Sequence, residues 1–352
     1  MVRSQAWRKI NLEEIAVIGA GSWGTAIANI LANKGFKVRL WAREAAVADG
    51  INKDRKNPKY LKDVAIHKNM VATLDLEDVI KPADVVVMAV PSHAMREIAS
   101  RARDLIKGDK KVLSLAKGVE ENSLKRMSEV LKEELLPEME SKIAVLSGPN
   151  HAEEVIRNIP SATVVSSKSR KVAEELQDIF MTPYFRVYTN PDLTGVEIGG
   201  ATKNVIAIAA GISDGLGYGD NTKASLITRG LAEMIRLGLA LGADVRTFAG
   251  LTGMGDLVVT CMSKHSRNRR VGEMLGKGLS LSEVRSQMVM VAEGIITALA
   301  IRKLSAELNV YMPITELVAE VLYENKNPFA CVSELMQRDA AEEIRGISWE
   351  VD

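Results

Sequence analysis

Cysteine is nearly absent from this chain: two residues of 352, Cys261 and Cys331. Two thiols far apart in sequence form neither a disulfide framework nor a thiolate metal cluster, and such usage suits a reducing cytoplasm. Histidine is as sparse, with four residues at His67, His93, His151 and His265. They are too scattered for a metal site, no H-E-x-x-H or C-x-x-C occurs, and no metal is expected. Charge of one sign is lacking too: 46 Lys and Arg stand against 45 Asp and Glu, net +1. That excludes a global pull toward nucleic acid or an anionic membrane, so any anion binding must be local. Aromatic residues make up only 4%, and none is interleaved in the basic run Ser263-Lys-His-Ser-Arg-Asn-Arg-Arg270. Without a stacking platform that run does not read as a nucleic-acid site. Long apolar stretches are missing as well. The longest, 205–212, is far too short to span a bilayer and is flanked by Lys203 and Asp214. Residues 1–12 carry Arg3, Arg8 and Lys9 but no apolar core, so they do not read as a signal peptide.

What remains is the composition of a soluble globular protein, 47% hydrophobic and 26% charged, long enough for two domains. The first half alternates short apolar runs with helical patterns. Residues 15–19 read as a buried strand, and further strands are expected at 37–41, 84–90, 111–115, 143–146, 162–166 and 185–188. The spacing implies a mostly parallel, doubly wound sheet. The first strand runs into Gly19-Ala-Gly-Ser-Trp-Gly24, a G-x-G-x-x-G in its required strand–turn–helix setting. Gly19 allows the tight turn, Gly21 lets the backbone approach a pyrophosphate, and Gly24 lets helix and sheet pack closely. The second strand ends in Trp41-Ala-Arg43-Glu44, without a carboxylate placed for a ribose 2′-hydroxyl. Arg43 suits a 2′-phosphate, so NADP is permitted; Arg43 is equally a solvated surface arginine, and Glu44 leaves NAD open. Ligands of such sheets sit beyond the carboxyl ends of the strands, which singles out the loops Val90-Pro-Ser92, Ala116-Lys117-Gly118 and Ser147-Gly-Pro-Asn150. Lys117 there is either an anion-binding ammonium or an ordinary turn lysine.

From about Pro191 strand patterns stop and helical periodicity takes over. The expected architecture is therefore an α/β, Rossmann-like N-terminal domain at 15–190, after an extension at 1–14, and an all-α substrate-binding domain at 191–352. Residues 196–212, Glu197 aside, are apolar or small on every face, as in a buried helix. Into it is set Lys203, followed by Asn204. A buried ammonium needs a partner, a shifted pKa or both, which marks functional lysines; the plainer reading is a side chain snorkelling to solvent. Farther on, the glycine-rich Leu251-Thr-Gly-Met-Gly-Asp256 ends in a carboxylate. Ser266-Arg267-Asn268 offers a convergent set of donors of the kind one phosphate needs, unless it is a solvated turn. Cys261, with no activating base, reads as core.

Taken together, Gly19–Thr25, Ala116-Lys-Gly118, Ser147-Gly-Pro149, Gly199-Gly-Ala-Thr-Lys-Asn204, Gly253-Met-Gly-Asp256 and His265-Ser-Arg-Asn268 resemble the bacterial-type NAD(P)-dependent glycerol-3-phosphate dehydrogenases, in order and spacing, from about Ile15 to Leu335. The resemblance implies reversible reduction of dihydroxyacetone phosphate to sn-glycerol 3-phosphate, supply of glycerophospholipid synthesis, a homodimer and a cytoplasmic location. It implies Lys203 as the proton-transfer group, with Asp256 expected to orient Lys203 or the substrate hydroxyls. Ser22, Trp23, Arg43, Lys117, Ala152, Arg267, Val291 and Glu293 match cofactor-contacting positions. Lys117, Gly148, Asn150, Lys203, Asp256, Ser266, Arg267 and Asn268 match substrate-contacting ones. Asn150 departs from the Ser or Thr usual there. A β-hydroxyacid dehydrogenase is the alternative, because that class also resembles a nucleotide domain followed by helices with a Lys-Asn pair.

Overall fold

A computed structural model describes residues 14–288, 290, 292–340 and 342–343; the first thirteen residues, Val289 and Val291 lie outside it. The first half forms an eight-stranded sheet: β1 (Glu14–Ile18), β2 (Lys37–Trp41), β3 (Met70–Thr73), β4 (Val85–Met88), β5 (Lys111–Ser114), β6 (Ile143–Ser147), β7 (Ser161–Ser167) and β8 (Phe185–Asn190). Their spatial order is β3-β2-β1-β4-β5-β6-β7-β8. All neighbours run parallel except β6 and β7. Ile15, Ala16, Val17 and Ile18 are each fully buried, because helices cover both faces of a parallel sheet and leave no solvent side for alternation to show. Ile15 and Val17 join one apolar layer with Ile27 and Leu31. Ala16 and Ile18 join the other with Val79, Met88 and Met95.

β3 is a strand the sequence pattern did not suggest. It has four residues, of which Val71 is half-exposed, and so short an edge element carries little periodic signal. A short helix over Met127–Glu134 lies between β5 and β6.

Beyond β8 the structure is helical. The central element is the Leu193–Gly215 helix, buried almost throughout. It begins at Leu193 rather than 196, because Asp192 caps it: Oδ1 accepts from the Gly195 N–H at 2.8 Å, and Oδ2 accepts from the Asp244 N–H at 2.9 Å. The basic run at 263–270 is no loop. Ser266 caps a helix over Arg267–Gly276, its Oγ accepting from the Arg269 N–H. The two helices approach backbone to backbone: a Cβ on Gly211 would lie 1.9 Å from the Arg269 carbonyl oxygen, and one on Gly272 2.0 Å from that of Ile208. The small residues are the reason the Lys203 helix is surrounded on all sides. No helix among the described residues is long and apolar enough to cross a membrane.

Candidate active site at the junction of sheet and helices

The strand order reverses between β1 and β4, and the crevice opens at that switch point, as in other doubly wound sheets. Gly19 turns the chain there with φ +117°, and a Cβ would sit 2.5 Å from the Ala89 carbonyl oxygen. Gly21 differs: a Cβ there would meet no protein atom within 4 Å. Side-chain space at Gly21 is open toward the crevice, the fit that a pyrophosphate lying against the turn requires.

From this turn a cavity of about 580 Å³ runs to the helical half. Gly19, Gly21, Ser22, Trp23, Gly24, Arg43, Lys117, Asn150, Ala152, Lys203, Asp256, Ser266, Arg267, Asn268 and Glu293 all line it. Gly148 does not; its carbonyl instead accepts from Lys117 Nζ at 2.8 Å. Val291 lies outside the described residues.

Lys203 is 6% exposed and Asp256 1%. The Lys203 ammonium donates to Asp256 Oδ1 at 2.5 Å and to Thr260 Oγ1 at 2.7 Å. Asp256 Oδ2 accepts from Lys117 Nζ at 2.7 Å. One carboxylate thus bridges two ammonium groups from opposite halves of the chain. Burial draws the Lys203 pKa down to about 8; Asp256 pulls the other way, and the charge of Lys117 adds to the lowering. For Asp256 burial works upward, but Lys117 and Lys203 outweigh it and hold the carboxyl below its usual range.

A second chain of bonds locks the neighbouring residues. Asn204 Nδ2 donates to the Lys117 carbonyl at 3.1 Å, and Asn204 Oδ1 accepts from Asn268 Nδ2 at 2.8 Å. Asn268 Oδ1 accepts from the Gly294 N–H at 2.9 Å. Of its two amide hydrogens, Asn268 therefore keeps one to donate to a ligand. Glu293 accepts from Ser92 Oγ at 2.5 Å, and Ser22 Oγ donates to Met290 Sδ at 3.4 Å. Asn150 donates to the Ala162 carbonyl at 3.0 Å.

Buried Asn150 Oδ1, His151 Nε2 and Trp23 Nε1 have no hydrogen-bond partner among the described residues. Unpaired buried polar atoms are costly in a finished core and are common where a polar ligand completes the bonding. At the outer end, Arg43 lines the cavity with Lys59 and Arg101. Glu44 pairs with Lys59 at 2.6 Å, and the Arg101 guanidinium lies 5.8 Å from the centre of the Trp41 ring. Glu97 lines the same end and pairs with Arg101 at 3.7 Å, so this end carries charge of both signs.

Sequence reasoning missed Thr260 and His151. Thr260 follows Asp256 by four residues and shares its helix face, a signal that was there to read. His151 packs against His265 with ring centres 5.9 Å apart, and burial followed by the charge of Lys203 lowers its pKa. Cys261 is core, fully buried, its thiol pushed up to about 12 by burial.

Two family descriptions match the chain. The N-terminus of NAD-dependent glycerol-3-phosphate dehydrogenase matches residues 14–173, and the C-terminus of the same family matches residues 192–333. The chain belongs to the NAD-dependent glycerol-3-phosphate dehydrogenase family. Two relatives named glycerol-3-phosphate dehydrogenase [NAD(P)+] support this membership. That of Moorella thermoacetica is 51% identical over 337 residues, covering 96% of this chain and 99% of the relative. That of Geobacillus thermodenitrificans is also 51% identical, covering 96% and 98%. The crystal structure of glycerol-3-phosphate dehydrogenase from Coxiella burnetii has a TM-score of 0.89 at 38% identity, covering 93% of this chain and 99% of that one. A ketopantoate reductase from Ralstonia eutropha shares the fold alone, with a TM-score of 0.58 at 17% identity over 91% of this chain and 99% of that one.

Proposed function

We propose that this glycerol-3-phosphate dehydrogenase family member reversibly reduces dihydroxyacetone phosphate to sn-glycerol 3-phosphate with NADPH or NADH. The observation that carries the reading is the Lys203–Asp256–Lys117 cluster, buried where the cavity joins the Gly19 turn to Ser266 and Arg267. The division near residue 191 into a nucleotide-binding and a helical substrate-binding domain follows the end of the sheet at Asn190.

Gly19, Gly21, Ser22, Trp23 and Gly24 would hold the pyrophosphate end of the cofactor, Arg43 its ribose, and Lys117, Ala152, Arg267 and Glu293 the remainder. When bound, the reduced nicotinamide supplies a hydride to a carbonyl carbon. The Lys203 ammonium donates one proton to the C2 oxygen as the carbonyl is reduced, leaving a neutral amine and an alcohol. In reverse, the amine accepts that proton. A pKa near 8 places both forms within reach at working pH. Asp256 holds Lys203 through Oδ1 and leaves Lys117 as a second cation beside the substrate. Ser266, Arg267 and Asn268 bind the phosphate, with Asn150 completing the substrate wall and the Gly148 carbonyl holding Lys117 beside it.

Product use in glycerophospholipid synthesis, a cytoplasmic location and a homodimer complete the proposal; the free thiols of Cys261 and Cys331 suit a reducing compartment. The test is NADPH oxidation with dihydroxyacetone phosphate, unphosphorylated hydroxyacetone and a 3-oxo acid in parallel. Turnover with the phosphate ester alone supports the reading. Preference for the 3-oxo acid would replace it with a β-hydroxyacid dehydrogenase.

A further inference from the structure

The helix that carries Lys203 holds one more buried charge. Glu197 is fully enclosed, its side chain 5% exposed, and the chemistry above does not use it. Its Oε1 accepts from the Ser128 N–H at 2.8 Å; its Oε2 accepts from Ser128 Oγ at 2.6 Å and from Arg126 Nη1 at 2.8 Å. Arg126 is itself held by Glu129 at 2.7 Å. Both partner residues belong to the nucleotide-binding half, at the start of the Met127–Glu134 helix.

Helical periodicity puts Glu197, Gly200 and Asn204 on one stripe of the Leu193–Gly215 helix. Each meets the nucleotide-binding half at a different segment. Glu197 meets Ser128 and Arg126. Gly200 lies against Ser147, whose Oγ would be 2.7 Å from an added Cβ. Asn204 meets the Lys117 carbonyl. Lys203, on the adjoining face, points to Asp256 of the helical half. Much of the rest of the helix surface is Ala, Gly, Ile and Val, whose apolar contacts have no direction. Asp214, near its end, pairs with Lys223 and Arg269 of the helical half. Against the nucleotide-binding half, the bonds that set the rotation are therefore those of Glu197 and Asn204. The hydrogen bonds of Glu197 do have direction.

We propose that Glu197 is a positioning residue: gripped by Arg126 and Ser128, it sets the rotation of the Leu193–Gly215 helix against the nucleotide-binding half and thereby the reach of Lys203 to the reacting oxygen. Side chains extend ~5–6 Å from a helix axis, so a turn of about 10° moves a tip by ~1 Å. Misplacement on that scale lowers turnover up to ~100-fold. Burying a carboxylate for this purpose is tolerable because every lone-pair direction that matters is met by a donor or a cation. The proposal rests on the function proposed above.

The test is Glu197→Gln, which keeps the shape and the bond from the Ser128 N–H but turns the charge-assisted contact with Arg126 into a repulsive one. The readouts are kcat and KM for dihydroxyacetone phosphate, the Kd of NADPH by fluorescence, the deuterium isotope effect on kcat with NADPH labelled at the transferred position, and amide exchange across residues 200–206. The expected result is a fall in kcat of about 10- to 100-fold. KM and Kd stay within about twofold, the isotope effect rises as chemistry becomes limiting, and exchange quickens across 200–206. If that variant does not fold, Ser128→Ala removes one bond and should lower kcat about threefold, with the same rise in isotope effect. A variant with wild-type kcat and isotope effect and only a lower Tm would overturn the proposal while leaving the function standing. A wild-type chain that does not turn over dihydroxyacetone phosphate with either cofactor would overturn both.

Discussion

Lys203 Nζ lies 2.5 Å from Asp256 Oδ1, and the same carboxylate holds Lys117 with its other oxygen. Two ammonium groups sharing one counter-ion leave the buried site with excess positive charge. That excess keeps Asp256 ionised and favours an anionic substrate, while burial, joined by the charge of Lys117, lowers the Lys203 pKa.

The protonation of Lys203 predicts opposite pH dependence in the two directions. Ketone reduction needs the ammonium, so kcat/KM should be level below about pH 8 and fall about tenfold per unit above it. Alcohol oxidation needs the amine and should rise through the same range and then level. Because Lys203 and Asp256 form one buried pair, the midpoint belongs to the pair. Rates in both directions between about pH 6 and 10 check this; parallel profiles would remove Lys203 as the proton carrier.

Lys203→Ala should lower kcat by ~10²- to 10⁴-fold, the span of a positioned acid–base group, while NADPH still binds with wild-type Kd. Near-normal turnover would sink the assignment. Asp256→Asn makes a subtler case. It removes the charge that raises the Lys203 pKa and leaves Lys117 facing it. The falling limb of ketone reduction should therefore move to lower pH, with kcat reduced at neutrality.

Arg267 precedes Asn268 at the start of the helix capped by Ser266, where peptide N–H groups also favour an anion. Loss of a charge-assisted bond costs about 1.5–3 kcal/mol, or roughly a 10- to 150-fold rise in KM for dihydroxyacetone phosphate in Arg267→Ala. KM for unphosphorylated hydroxyacetone should hardly change. Equal effects on both substrates would place the phosphate elsewhere.

At the adenosine end, Arg43 lines the cavity with Lys59 and Arg101. Arg43→Ala should reduce kcat/KM with NADPH about tenfold, the loss of one exposed phosphate contact, and leave kcat/KM with NADH within about twofold. The ratio of the two, measured side by side, decides whether Arg43 reads the 2′-phosphate.

Gly211 offers a test of packing alone. Alanine would raise helix propensity by about 1 kcal/mol, yet its Cβ would fall 1.9 Å from the Arg269 carbonyl oxygen. Overpacking of that kind costs about 1–3 kcal/mol or more and should win, so Gly211→Ala should lower Tm. A higher Tm would show that the two helices separate at little cost.

How far the residues themselves spoke differs from one part of the molecule to the next. The Gly19–Gly24 turn, the strand before it and the helix after it were legible because the whole motif is contiguous and each glycine answers a local steric demand. The buried helix was legible from its lack of any polar face, although its true start needed Asp192, whose capping role lies in side-chain geometry. The edge strand β3 was not legible, since four residues carry almost no period. The bond from Lys117 to the Gly148 carbonyl was not legible either, since 31 positions separate the two.

The amino-acid sequence by itself determined that a nucleotide-binding sheet precedes a helical half and that one lysine sits in an apolar helix. Tertiary structure alone decided what that lysine meets. Lys117 and Asp256 are separated by 139 positions, and Glu197 and Ser128 by 69. No local period encodes such distances. They close only when the order of the strands sets which loops share an edge, and when glycines let the Lys203 helix lie deep enough for one carboxylate to reach both cations.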